Sequence, residues 1–127
     1  MFDSLDISAS ALQAQRTRLD TISLNIANMN TTRNQRGENV PYKRRFVEFM
    51  AGRPQDPSKP GVHVRVREDP SSREVYDAER RQYVRYPKID MAVEYVNAIE
   101  ASRAYEANVT AMEVTKAMMN ASLRILA

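Results

Sequence analysis

All three Gly and five of the six Pro fall between Thr31 and Gln82, so both ends of this 127-residue chain lack the residues that break helices. That segregation constrains the fold strongly. Each end can run as one long helix, whereas the centre must turn repeatedly.

The first segment, Phe2 to about Asn30, is predicted helical. Asp3 or Ser4 can cap its N-terminus, and Asp6 adds a negative charge in the first turn. Leu5, Leu12, Leu19 and Ile26 recur at intervals of seven, and Ile22 and Met29 each follow the last two by three residues. These make an a/d seam in the second half of the segment. Ser8 and Gln15 narrow the seam in the first half, where Ala9, Ala11 and Ala14 permit close helix approach.

The last segment begins after Pro87-Lys88-Ile89, with Asp90 as a natural N-cap and Glu94 favouring the first turn, and it continues to Ala127. Its seam alternates four and three through Met91, Tyr95, Ala98, Ser102, Tyr105, Val109, Met112, Lys116, Met119, Leu123 and Leu126. Val93, Val96 and Ile99 broaden the apolar face near the start. At ~1.5 Å per residue the two helices would be roughly 43 and 55 Å long, more than a compact domain of this size uses. Pairing them within one chain covers only part of each face. The remainder is expected to be covered by neighbouring copies on assembly.

Between them, Tyr42–Phe49 can form a strand with Arg45, Val47 and Phe49 on one face. Val62–Arg67 alternates cleanly, three Val against polar groups, and Arg73–Tyr76 offers a third short strand. The expectation is a small two- or three-stranded sheet, with Asp77–Gln82 a linker and Tyr83 and Tyr86 anchoring an extended lead into the last helix. His63, the single His, is expected to be solvated on the polar side of its strand.

Residues 31–90 hold fourteen Lys or Arg against nine acids, and the two ends are nearly neutral, so the basic character belongs to the middle. With no Cys, disulfides, thiol catalysis and zinc ribbons are excluded. No phosphate-cradling Gly loop, metal-ligand cluster or nucleophile elbow is present, so no catalytic, metal or cofactor residue is assigned. Met112, Met118 and Met119 read as adaptable packing in place of a soft-metal site. No apolar run approaches the ~18 residues of a membrane span, and the start MFDSLDIS lacks the basic and apolar regions of a cleavable signal. The Lys43-Arg44-Arg45 cluster leaves a second reading open: a cytoplasmic helical adaptor whose basic middle binds nucleic acid or an acidic protein.

Ser10-Ala11-Leu12, Gln15 to Asp20, and Asn25-Ile26-Ala27-Asn28-Met29-Asn30-Thr31-Thr32 resemble the N-terminal signature of bacterial flagellar axial proteins. Ala101-Ser102-Arg103-Ala104-Tyr105-Glu106-Ala107-Asn108-Val109 resembles the C-terminal motif of their rod and hook subunits. Pro41-Tyr42-Lys43-Arg44 and Tyr86-Pro87-Lys88-Ile89-Asp90 are similar to internal landmarks of proximal rod proteins, although Lys88 replaces a usual Asn and the Asp77–Gln82 linker is short.

The resemblance implies a structural rod subunit of the flagellar basal body. Residues 1–33 and 90–127 would be helices of the assembly core, and 34–89 a small basic segment facing outward. The expected fold is mainly α, with the terminal helices forming an antiparallel coiled-coil-like pair. The seam residues would carry assembly, in particular Leu5, Leu12, Leu19, Ile22, Ile26, Met29, Tyr95, Tyr105, Val109, Met112, Met119 and Leu123. The motif residues are Asn25, Ile26, Ala27, Asn28, Ser102, Arg103, Tyr105 and Asn108. Implied partners are other rod subunits, copies of the chain, and the flagellar type III export apparatus, which would read the N-terminal segment as an uncleaved signal. Nucleic acid and direct membrane insertion are not implied. The rod lies in the cell envelope, encloses the export channel and transmits torque.

Overall fold

The computed structural model describes residues 2–127. Helix α1 (Phe2–Ala27) is followed by strands β1 (Arg44–Ala51), β2 (Val62–Asp69), β3 (Ser72–Asp77) and β4 (Gln82–Pro87), then helix α2 (Met91–Leu126). The helices hold about half of the residues. The rest of the fold is larger in strand than expected. It contains four strands in two separate two-stranded sheets, β1–β2 and β3–β4.

The helices end where their side chains dictate. Asn28 terminates α1: its amide donates to the Leu24 carbonyl at 2.9 Å, and its Oδ1 accepts from the Thr31 hydroxyl at 3.2 Å. Both bonds satisfy the end of the helix by turning the chain, so the Asn-Met-Asn-Thr stretch reads as a stop. At the start of α2, Asp90 is the N-cap, accepting from the Ala92 amide at 2.9 Å, with Glu94 in the first turn.

Antiparallel pairing of β1 and β2 sets Val47 opposite Val66, Phe49 opposite Val64 and Ala51 opposite Val62. Opposed residues share a face, and this face turns toward α1, where the Arg18 guanidinium stands 5.9 Å from the Phe49 ring centre. The loop joining the strands is closed by Gly52 N–H donating to Gly61 O at 2.9 Å. Gly52 has φ +92°, and a Cβ there would lie 2.7 Å from the Pro57 carbonyl oxygen, so only glycine fits. His63 is half-buried, and its Nδ1 lies 2.9 Å from Gly52 O; the same loop that needs the glycine therefore removes this ring from the solvated position expected for it.

The second hairpin pairs Val75 with Val84 and Tyr76 with Tyr83, the latter two rings stacking edge-on at 5.3 Å. The segment read from the sequence as a linker is its turn. Glu79 and Arg80 amides donate to Asp77 Oδ1, and Arg81 takes φ +52° without glycine's freedom. The helices leave this hairpin uncovered, and residues 72–76 and 78–83 are all exposed. Its base alone is sunk into the protein, through Pro87 and Ile89.

Candidate assembly surface and the joint beneath it

One polar cluster ties together α1, β1 and α2. Asn25, 1% exposed, accepts from the Arg45 amide at 2.9 Å through Oδ1 and donates to the Arg45 carbonyl at 2.7 Å through Nδ2. The same Nδ2 lies 3.4 Å from Glu94 Oε2, and the Tyr42 hydroxyl donates to Oδ1, also at 3.4 Å. Glu94, likewise 1% exposed, is neutralised by Arg44, whose Nε donates to Oε1 at 2.7 Å. A carboxylate so deeply buried is tolerated only with such a partner. Burial also raises the pKa of the Tyr42 phenol above its ordinary value, opposed by the nearby Arg45 charge.

A second contact lies further up α1. The Ser10 hydroxyl donates to Ile7 O at 2.7 Å and accepts from the Val62 amide at 3.0 Å. The first hairpin is therefore gripped through its main chain at both ends of its length. Beside the Ser10 contact the strands stand off the helix, leaving an open groove of about 470 Å³ lined by Asp6, Gln13, Thr17, Arg53, His63 and Val64.

The helices touch through small and polar side chains. Ala14, Thr21, Ile22 and Asn25 of α1 are buried, as are Glu94 and Ala101 of α2, the last completely. With buried Ala101, the half-buried Asn97, Ala104, Asn108, Met112, Thr115 and Met119 make a covered row of α2 spaced by threes and fours, with half-buried Ala98 beside it. Arg18 reaches Glu100 at 3.5 Å across the pair. Thr21 bonds back to Thr17 O at 2.8 Å, which satisfies its buried hydroxyl.

Most of the large apolar residues of α2 lie elsewhere. Tyr95, Val96, Ile99, Met118, Leu123 and Ile125 are exposed, Leu123 by 62%, and every residue from Asn120 to Ala127 is exposed. Apolar surface of this extent on one helix marks a contact surface.

Among the seam residues named from the sequence, Ile22 is buried. Leu5, Leu12, Leu19, Ile26, Met29, Val109, Met112 and Met119 are half-buried, and Tyr95, Tyr105 and Leu123 are exposed. Of the motif residues, Asn25 is buried, Ile26 and Asn28 are half-buried, and Ala27, Ser102, Arg103 and Tyr105 are exposed. Asn108 is half-buried and bonds to Ala104 O at 3.0 Å. Sequence reasoning gave Glu94 only a first-turn role and missed Ser10, Arg44 and Ala101 as contact residues. The row of small residues on α2, displaced by one position from the apolar seam, was the available signal.

Among the described residues, no group of three or more metal-ligating side chains converges, and no helix is long and apolar enough to cross a membrane.

Comparison with known proteins finds family matches at both ends of the chain. Residues 5–35 match the family described as flagella basal body rod protein. Residues 80–125 match the C-terminal family of flagellar basal body rod FlgEFG proteins. The chain is 39% identical to the flagellar basal-body rod protein FlgC of Bacillus subtilis, covering 98% of this chain and 97% of the relative. It is 40% identical to the protein of the same name from Aquifex aeolicus, over 91% and 90% of the two chains. The Yersinia enterocolitica relative, also FlgC, is 34% identical over 98% and 97%.

Proposed function

Because the chain belongs to the FlgC family of flagellar basal-body rod proteins, a structural subunit of the proximal rod and not an enzyme, we propose that it assembles through its terminal helices into the wall of a tubular drive shaft. The observation that carries this reading is the division of α2 into two rows. One row, mostly small and polar but including Met112 and Met119, is covered by α1, and most of the large apolar residues are left exposed. A helix of 36 residues with that much uncovered apolar surface gains stability when copies or other rod subunits cover it.

In this reading α1 and α2 form an antiparallel, coiled-coil-like pair. The contacts Asn25 to Glu94 and Arg18 to Glu100 support it, since the partner number rises as the α1 number falls. Residues 1–33 and 90–127 make the assembly core around the export channel, and 34–89 face outward. Of the seam residues named above, from Leu5 to Leu123, those left exposed or half-buried carry subunit contacts, while Ile22 packs inside the helical pair. Delivery is by the flagellar type III export apparatus, with the N-terminal segment retained, and the assembled rod stands in the periplasm and passes on motor torque. Neither nucleic acid nor the lipid bilayer is a partner.

The test is complementation of a strain lacking its own copy of this chain, with mass spectrometry of purified basal bodies. The chain is expected to restore swimming and to appear with the other rod subunits. Leu123→Asp, which places a charge on the exposed apolar row, is expected to abolish incorporation while leaving expression unchanged. Wild-type incorporation of that variant would remove α2's outer face from the assembly contacts.

A further inference from the structure

We infer that Asn25 is a positioning residue for rod assembly: its amide fixes the first hairpin on the helical pair, and buried Glu94 supports the orientation in which that amide sits. This rests on the rod-subunit reading above and assigns a role to residues that carry no large apolar surface.

Arg45 presents its N–H and C=O on the side of β1 away from β2, where a further strand would pair with it. Asn25 meets both groups at once, at 2.9 and 2.7 Å. A helix side chain thus occupies the place of an edge-strand residue, since exchange of two bonds with one residue is the pattern of an antiparallel hydrogen-bonded pair. The match works in one orientation only. A reversed amide would set its oxygen against the Arg45 carbonyl and its NH₂ against the Arg45 N–H. Glu94 supports the same orientation from the other side, because an ionised carboxylate only accepts and so favours the NH₂ side of Asn25 at 3.4 Å. Arg44 holds the other carboxylate oxygen at 2.7 Å, and the Tyr42 hydroxyl donates to the opposite end of the amide. The chain of dependence therefore runs from β1 to α2, from α2 to α1, and from α1 back to the next residue of β1. Changing the amide leaves each element able to form but removes one of the two main-chain ties that seat the hairpin on the helix, Ser10 to Val62 being the other.

The proposal is tested in the complemented strain by Asn25→Asp, Glu94→Gln and the double variant, reading swim rate, export, and the amount of the chain in purified basal bodies. Asn25→Asp puts two carboxylates together in a buried site and sets an acceptor against the Arg45 carbonyl. It is expected to lower incorporation and swimming by about tenfold or more, with export unchanged. Glu94→Gln is expected to have a milder effect, since a neutral acceptor still faces Arg44. In the double variant the two carboxylates no longer meet, because the new amide at 94 donates to the new carboxylate at 25; the Arg45 carbonyl still faces an acceptor, so both readouts should recover in part, to several times the Asn25→Asp level. Normal swimming of Asn25→Asp, or a double variant no better than Asn25→Asp alone, overturns the proposal. Failure of the wild-type chain to restore swimming would instead overturn the rod reading.

Discussion

Hairpins β1–β2 and β3–β4 are each a pair of antiparallel strands with a Val–Val pair near the middle, Val47 with Val66 and Val75 with Val84. The first lies against α1 and is gripped by Ser10 and Asn25, whereas the second is exposed along most of its length and rests on Pro87 and Ile89. Two-stranded hairpins are marginal alone in water. The first is therefore steadied by the helix beneath it, whereas the second has only its own cross-strand pairs and the anchoring of its base at Pro87 and Ile89. The difference lies in what the residues outside the strands provide.

Removing the grip should make the first hairpin behave like the second. Glu94→Ala leaves Arg44 without its counter-charge and Asn25 without its orienting acceptor. It is expected to cost about 3–5 kcal/mol, the range for breaking a buried ion pair. Hydrogen exchange should then show β1 amides losing protection down to the level of β3, and unchanged β1 protection would break the comparison. The turns offer a smaller and two-sided test. Gly52→Ala should destabilise the first hairpin by more than ~1 kcal/mol, because its Cβ meets the Pro57 carbonyl and its φ is positive. Arg81→Gly should stabilise the second by up to ~1 kcal/mol by relieving a left-handed residue. Opposite signs in denaturant titrations are the expected result.

Tyr76→Ala removes the edge-on contact with Tyr83 and should cost about 0.5–1.5 kcal/mol. The loss should stay within β3–β4, with helix content by circular dichroism unchanged. The smallest effect concerns alkali. Burial raises the Tyr42 phenol above its ordinary value of 10.0, so the folded state holds that proton more tightly than the unfolded one. This contribution is fully present below pH 10 and is lost as pH rises through the higher folded value. Tyr42→Phe should flatten that alkaline decline, measured as the denaturation midpoint against pH, with the Asn25 joint weakened slightly at neutral pH.

The helices and the Asp90 cap were legible because periodicity and cap chemistry are local. Strands β1 and β2 were legible from alternating Val and polar residues. Strand β4 was not, since Tyr83, Val84, Arg85 and Tyr86 show no apolar alternation and the turn before it lacks Gly, Pro and Asn. The burial of Glu94 was also hidden. Charged residues are seldom buried, and the neutralising Arg44 lies fifty residues away in sequence. On α2 the apolar seam draws the eye, yet the residues covered by α1 begin one position earlier and are mostly small or polar, rejoining the seam at Ala98, Met112 and Met119. A pattern of hydrophobicity tells which residues seek cover, and it does not tell whether the cover comes from the same chain.

Ser10 and Asn25 both bond to the main chain of the hairpin, at Val62 and Arg45, and not to its side chains. A main chain offers the same N–H and C=O whatever residue carries them. The fitting is therefore indifferent to most of what is written along the strands. Substitutions can restyle the outward surface, changing its charge or its neighbours, while the mount stays the same, much as different heads fit one shaft.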